Sequence, residues 1–145
     1  MSDKNKILIV DDDPDMLIAM TAVLEFHGFE VVQAHNGEEA LVKLKEETPH
    51  LMILDLLMPR MDGFAVCREL REPRPVKAYP EVPILILTST QEQAGRQRYE
   101  LETGLGLDVD DYVEKPIDPH VLVKRVEKLL GKWKGSDYIL WHTRR

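Results

Sequence analysis

The 145-residue chain has room for one domain with a single buried core and none for a second folded unit. Its 19 basic and 26 acidic residues give a net charge of −7, which disfavours whole-surface binding to nucleic acid or anionic lipid, and a single cysteine, Cys67, excludes an internal disulfide and a cysteine-based zinc site. The opening "MSDKNK" lacks the apolar core of a signal peptide and no apolar run is long enough to span a bilayer, so the expectation is a cytoplasmic chain in a reducing compartment.

The first predicted element is the strand "KILIV" (6–10), which runs straight into Asp11, Asp12 and Asp13. Asp13-Pro14 then reads as an N-cap and first helical position, Met16, Leu17, Met20, Val23 and Leu24 form a helical stripe, and Gly28 supplies the stop. "EVVQA" (30–34) is a mixed strand of the kind found at a sheet edge. Asn36 with Glu39 three residues on resembles a capping box ahead of Ala40, Leu41 and Leu44. "LMILD" (51–55) is a fully apolar strand ending in a carboxylate, and Asp62 is placed to cap a helix that buries Cys67 and Leu70. Four prolines in "REPRPVKAYPEVP" (71–83) forbid a helix there. After the strand "PILILT" (83–88), a fourth helix near "QEQAGRQRYELETG" has a thin apolar stripe and is weakened by Gly95. The loop "GLGLDVDD" (104–111) leads to the strand "DYVEK" (111–115). Asp118-Pro119 repeats the N-terminal helix signal, with Leu122, Val126, Leu129 and Leu130 as the stripe and Gly131 as the stop. This alternation predicts an α/β domain over residues 1–131, with a doubly wound parallel sheet of five strands and five helices on two faces. The tail 132–145 holds both tryptophans and reads equally as an extension of the last helix or as an interaction or dimer segment.

Three of the strands end in polar residues: Val10 gives way to Asp11 and Asp12, Leu54 to Asp55, and Leu87 to Thr88, while the last strand ends at Lys115. In an open parallel sheet all these ends lie along one edge, where ligands bind. Two carboxylates about 4 Å apart repel by roughly 4 kcal/mol at an effective dielectric near 20, so such a cluster must be solvated, protonated or neutralised. Alone, Asp11 and Asp12 read equally well as a solvated turn. Joined by Asp55, they form an all-oxygen donor set that selects a hard cation, of which Mg²⁺ suits a site with few carboxylates and a phosphate partner. Lys115 would neutralise phosphoryl oxygens, Thr88 would hydrogen-bond one, and a carboxylate there can act as a nucleophile towards phosphorus.

The segments "ILIVDDDPDM", "LMILDLLMPRMDGF", "ILILTST" and "DDYVEKPID" together resemble, in order, the motifs of response-regulator receiver domains of two-component signalling, over residues 6 to about 131. The resemblance implies the flavodoxin-like strand order 2-1-3-4-5, with the first and fifth helices on one face and the others opposite. It implies that Asp55 accepts a phosphoryl group from a sensor histidine kinase or phosphotransfer protein. Asp12, Asp55 and the Leu57 backbone carbonyl would ligate Mg²⁺, with Asp11 acting mainly through water, and Lys115, aimed by a cis bond to Pro116, would pair with the phosphoryl group. Thr88 and Tyr112 would move together as a switch, remodelling the face made by the fourth predicted helix, the fifth strand and the fifth predicted helix for an output partner. Leu57 and Thr90 resemble the positions that tune phosphate lifetime. The implied chemistry is limited to the chain's own phosphorylation and dephosphorylation.

Other readings remain beside these. Asp13 is expected to be an N-cap rather than a ligand, Cys67 buried filler, and Met52, Met58 and Met61 packing residues. The five histidines lack ligand spacing. A Mg²⁺-dependent small-molecule phosphatase and an unphosphorylated pseudo-receiver that only binds a partner are the rival functions. No nucleic-acid recognition motif is present, so no direct nucleic-acid binding is expected, nor any membrane insertion.

Overall fold

A computed structural model gives the architecture, and it describes residues 4–76, 78–89 and 109–131. Five parallel strands form one sheet: β1 (Lys6–Val10), β2 (Glu30–Ala34), β3 (Leu51–Asp55), β4 (Ile84–Thr88) and β5 (Asp111–Glu114), in the order β2-β1-β3-β4-β5. Four helices are seen among the described residues: α1 (Pro14–Phe26), α2 (Gly37–Glu47), α3 (Gly63–Arg71) and α4 (Pro119–Leu129). The helix expected near 91–104 and the tail 132–145 lie outside the described residues.

Strand periodicity divides the core in two. Ile7, Ile9, Leu51, Ile53, Leu85 and Leu87 face one side and pack with Leu17, Met20 and Leu24 of α1 and Leu122, Val123 and Val126 of α4. Leu8, Val10, Met52, Leu54 and Ile86 face the other and meet Ala40 and Leu44 of α2 and Val66 and Cys67 of α3. Helices on both faces explain why β1, β3 and β4 are almost wholly buried, while β2, at the edge, is only half-buried for most of its length.

The caps are where the sequence places them. Asp13, Asn36, Asp62 and Asp118 accept hydrogen bonds from the first-turn amides of α1, α2, α3 and α4. Gly28 and Gly131 follow α1 and α4 with φ of +89° and +66°, the left-handed conformation that ends a helix and suits a residue without a Cβ. Among the described residues no helix is long and apolar enough to cross a membrane.

Candidate phosphoryl-transfer site

The parallel sheet brings the C-terminal ends of β1, β3 and β4 and the residue after β5 to one edge. Asp11 follows β1, and its backbone N–H donates to Ala34 O at the end of β2 (3.2 Å). Asp55 is the last residue of β3, and Asp11 and Asp55 are only 1% and 2% exposed, while Asp12 faces solvent. One oxygen from each of the three carboxylates lies within 4.8 Å of the others. Lys115 Nζ reaches across the sheet to donate to Asp55 Oδ1 at 3.2 Å and stands 3.9 Å from Asp11 Oδ2. The backbone N–H of Lys115 donates to Thr88 O (2.7 Å), and its peptide bond to Pro116 is cis. Thr88 is buried at the end of β4 with its hydroxyl donating to Ser89 O at 3.2 Å.

The Asp11 carboxyl is perturbed by these surroundings. Burial, with smaller contributions from the Asp55 and Asp12 charges, pushes its carboxyl up from 3.8 to about 6, against the opposing Asp13 N–H and Lys115. Asp11 Oδ1 accepts the Asp13 N–H at 2.9 Å, whereas the buried Oδ2 has no hydrogen-bond partner among the described residues. A buried carboxylate oxygen without a hydrogen-bond partner, beside two further carboxylates in a cluster free of histidine and thiolate, fits a hard divalent cation.

Residues 7–127 match the family model of the response regulator receiver domain. The chain belongs to that family. It is 40% identical over 129 residues to "Probable transcriptional regulator ycf27" of Porphyra purpurea, an alignment covering 89% of this chain and 49% of the relative. With the alkaline phosphatase synthesis transcriptional regulatory protein PhoP of Bacillus subtilis it shares 38% identity over 127 residues, covering 88% of this chain and 49% of that one. This receiver domain thus spans about half the length of these curated relatives. The crystal structure of a response regulator signal receiver domain from Bermanella marisrubri superposes with a TM-score of 0.72 at 38% identity, covering 88% of this chain and 98% of that one.

The remaining expected residues of the receiver domain are placed as follows. Leu57 sits in the loop after β3 with 42% of its surface exposed, beside the buried Leu56 and Met58. Tyr112, on β5, is half-buried against the core on the α2 and α3 side. Thr90 lies outside the described residues. Asp13 is the α1 cap, accepting the Asp15 N–H at 3.0 Å, and Cys67 and Met52 are core residues.

Two features were not anticipated from sequence. Arg125 of α4 grips both carboxylate oxygens of Asp111 at 2.8 and 2.9 Å, pinning α4 to the start of β5. Gly63, the first residue of α3, leaves room for the backbone of the nucleophile candidate: a Cβ there would lie 2.5 Å from Asp55 O and 2.8 Å from Leu56 Cα. The available signal was a glycine at a helical position, where it is a poor helix former and needs a reason.

Proposed function

We propose that this receiver domain takes one phosphoryl group on Asp55 from the phosphohistidine of a sensor histidine kinase or phosphotransfer protein, in the cytoplasm. The supporting observation is the position of Asp55: buried at the end of β3, held by Lys115 Nζ at 3.2 Å and flanked by two other carboxylates. A carboxylate oxygen of Asp55 forms the new bond to phosphorus as the bond from phosphorus to the donor nitrogen breaks, and the imidazole leaves with that electron pair. Lys115, already beside Asp55, neutralises one phosphoryl oxygen as its negative charge approaches. Asp11, Asp12, Asp55 and the backbone carbonyl of Leu57 are the residues that would hold Mg²⁺. When bound, the cation supplies charge neutralisation for the acids and the incoming phosphoryl oxygens.

Phosphorylation then gives the Thr88 hydroxyl a stronger acceptor than Ser89 O, and Tyr112 follows it inward. The resulting shift between two packings alters the face carried by β5 and α4, which an output partner reads. Apart from gaining and losing its own phosphoryl group the chain turns over no substrate.

The test is intact mass after incubation with acetyl phosphate, with and without Mg²⁺, for wild type and Asp55→Asn. One added phosphoryl group that requires both Mg²⁺ and Asp55 is expected. Repeated consumption of the donor without an adduct would instead indicate a small-molecule phosphatase. An unmodified protein with an intact donor would indicate a pseudo-receiver.

A further inference from the structure

We infer that Gly37, at the start of α2 and far in sequence from the acids, is a positioning residue for the cation site; this rests on the receiver-site reading above. The β3–α3 loop, residues 56–62, carries Leu57 and directly follows Asp55. Two glycines set its path. Gly63 packs against the Asp55 and Leu56 backbone at one end. At the other, the N–H of Gly37 donates to Met61 O at 3.1 Å. That amide belongs to the first turn of α2, where no intrahelical acceptor exists, so the loop carbonyl fills a vacancy that every helix N-terminus presents. The neighbouring first-turn amide of Glu39 is taken by the Asn36 side chain at 2.8 Å, so helix cap and loop anchor stand side by side.

The contact requires the absence of a side chain. A Cβ on Gly37 would collide with Met61 O and lie 2.8 Å from both Met61 Cγ and Val66 Cγ2. The φ of Gly37 is not in the left-handed region, so space and not conformational freedom accounts for the glycine. One of the colliding atoms belongs to the loop backbone, which cannot be turned aside as a flexible side chain can. The loop must therefore move away from α2, carrying with it the segment that joins Asp55 to Leu57. Gly37 lies outside the carboxylate cluster, yet it fixes the loop on which the donor geometry depends.

Calorimetric titration of Mg²⁺ into the full chain tests this, at a temperature where circular dichroism shows every variant folded. Gly37→Ala is expected to weaken Mg²⁺ binding about tenfold, the scale on which supporting residues act on metal sites. Leu44→Ala, a core truncation on the same helix, lowers stability and is expected to leave the Mg²⁺ affinity unchanged. That contrast separates positioning from general destabilisation. Should Gly37→Ala not fold, Asn36→Ala carries the test: loosening the first turn of α2 is expected to weaken binding about two- to threefold. Wild-type affinity in folded Gly37→Ala, or in Asn36→Ala where it substitutes, overturns the inference while leaving the receiver site standing. A wild-type chain that binds no Mg²⁺ overturns both.

Discussion

Replacing Asp11 by Asn should make the metal-free protein more stable at neutral pH while weakening cation binding. Asp11 is buried with its carboxyl raised from 3.8 to about 6, mainly through lost hydration. The native state therefore holds this proton more tightly than the unfolded chain does. Where the native group is protonated and the unfolded one is not, stability falls as pH rises, so this penalty accumulates between about pH 4 and pH 6 and is complete above it. The difference between 3.8 and about 6 corresponds to at most about 3 kcal/mol at pH 8. Asparagine keeps the carbonyl that accepts the Asp13 N–H and removes the charge. Urea unfolding in a chelator, repeated from pH 4 to pH 8, should show Asp11→Asn more stable by about 1–3 kcal/mol at pH 8, the gap closing towards pH 4. Adding Mg²⁺ to 100 times its dissociation constant should raise the wild type by about 2.7 kcal/mol and the variant far less. A variant no more stable than wild type at pH 8, or a gap that does not change with pH, would refute the reasoning.

Lys115→Met removes the ammonium that Asp55 accepts from at 3.2 Å, and should lower stability at pH 8 by about 1.5–3 kcal/mol in denaturant melts. It should also slow labelling by acetyl phosphate at least tenfold, followed as adduct mass against time. Leu57→Asn replaces an exposed apolar side chain two residues past Asp55 with one able to orient water, and should shorten the phosphate lifetime severalfold; an adduct that decays at the wild-type rate would count against the proposed role. Asp118→Ala deletes the α4 cap, whose carboxylate accepts the His120 N–H at 2.9 Å. It should reduce stability by about 1 kcal/mol and leave the phosphoryl stoichiometry at one per chain.

Much of the fold and most of the candidate site can be read along the chain because both rest on local signals. Aliphatic runs mark β1, β3 and β4, Asp-Pro pairs mark the starts of α1 and α4, and the rule that parallel strands share a C-terminal edge carries Asp11, Asp55, Thr88 and Lys115 into one site. Burial within the acidic cluster is not local. Asp11 and Asp12 are chemically identical neighbours, and only the closure of the fold makes one buried and the other solvated. Gly37 and Gly63 are harder still to read, because their significance lies in another stretch of backbone occupying the place of a Cβ, and a sequence does not show what comes to lie against it. At both positions an N-capping side chain precedes a residue that weakens the helix it begins, so local propensity gives way to close packing on either side of one loop. A related trade is expected at Asp11, whose carboxyl is buried within the cluster and raised well above its ordinary range. Conflicts between local preference and native environment converge on this one loop and edge, as expected where a surface has been shaped for chemistry and not for folding alone.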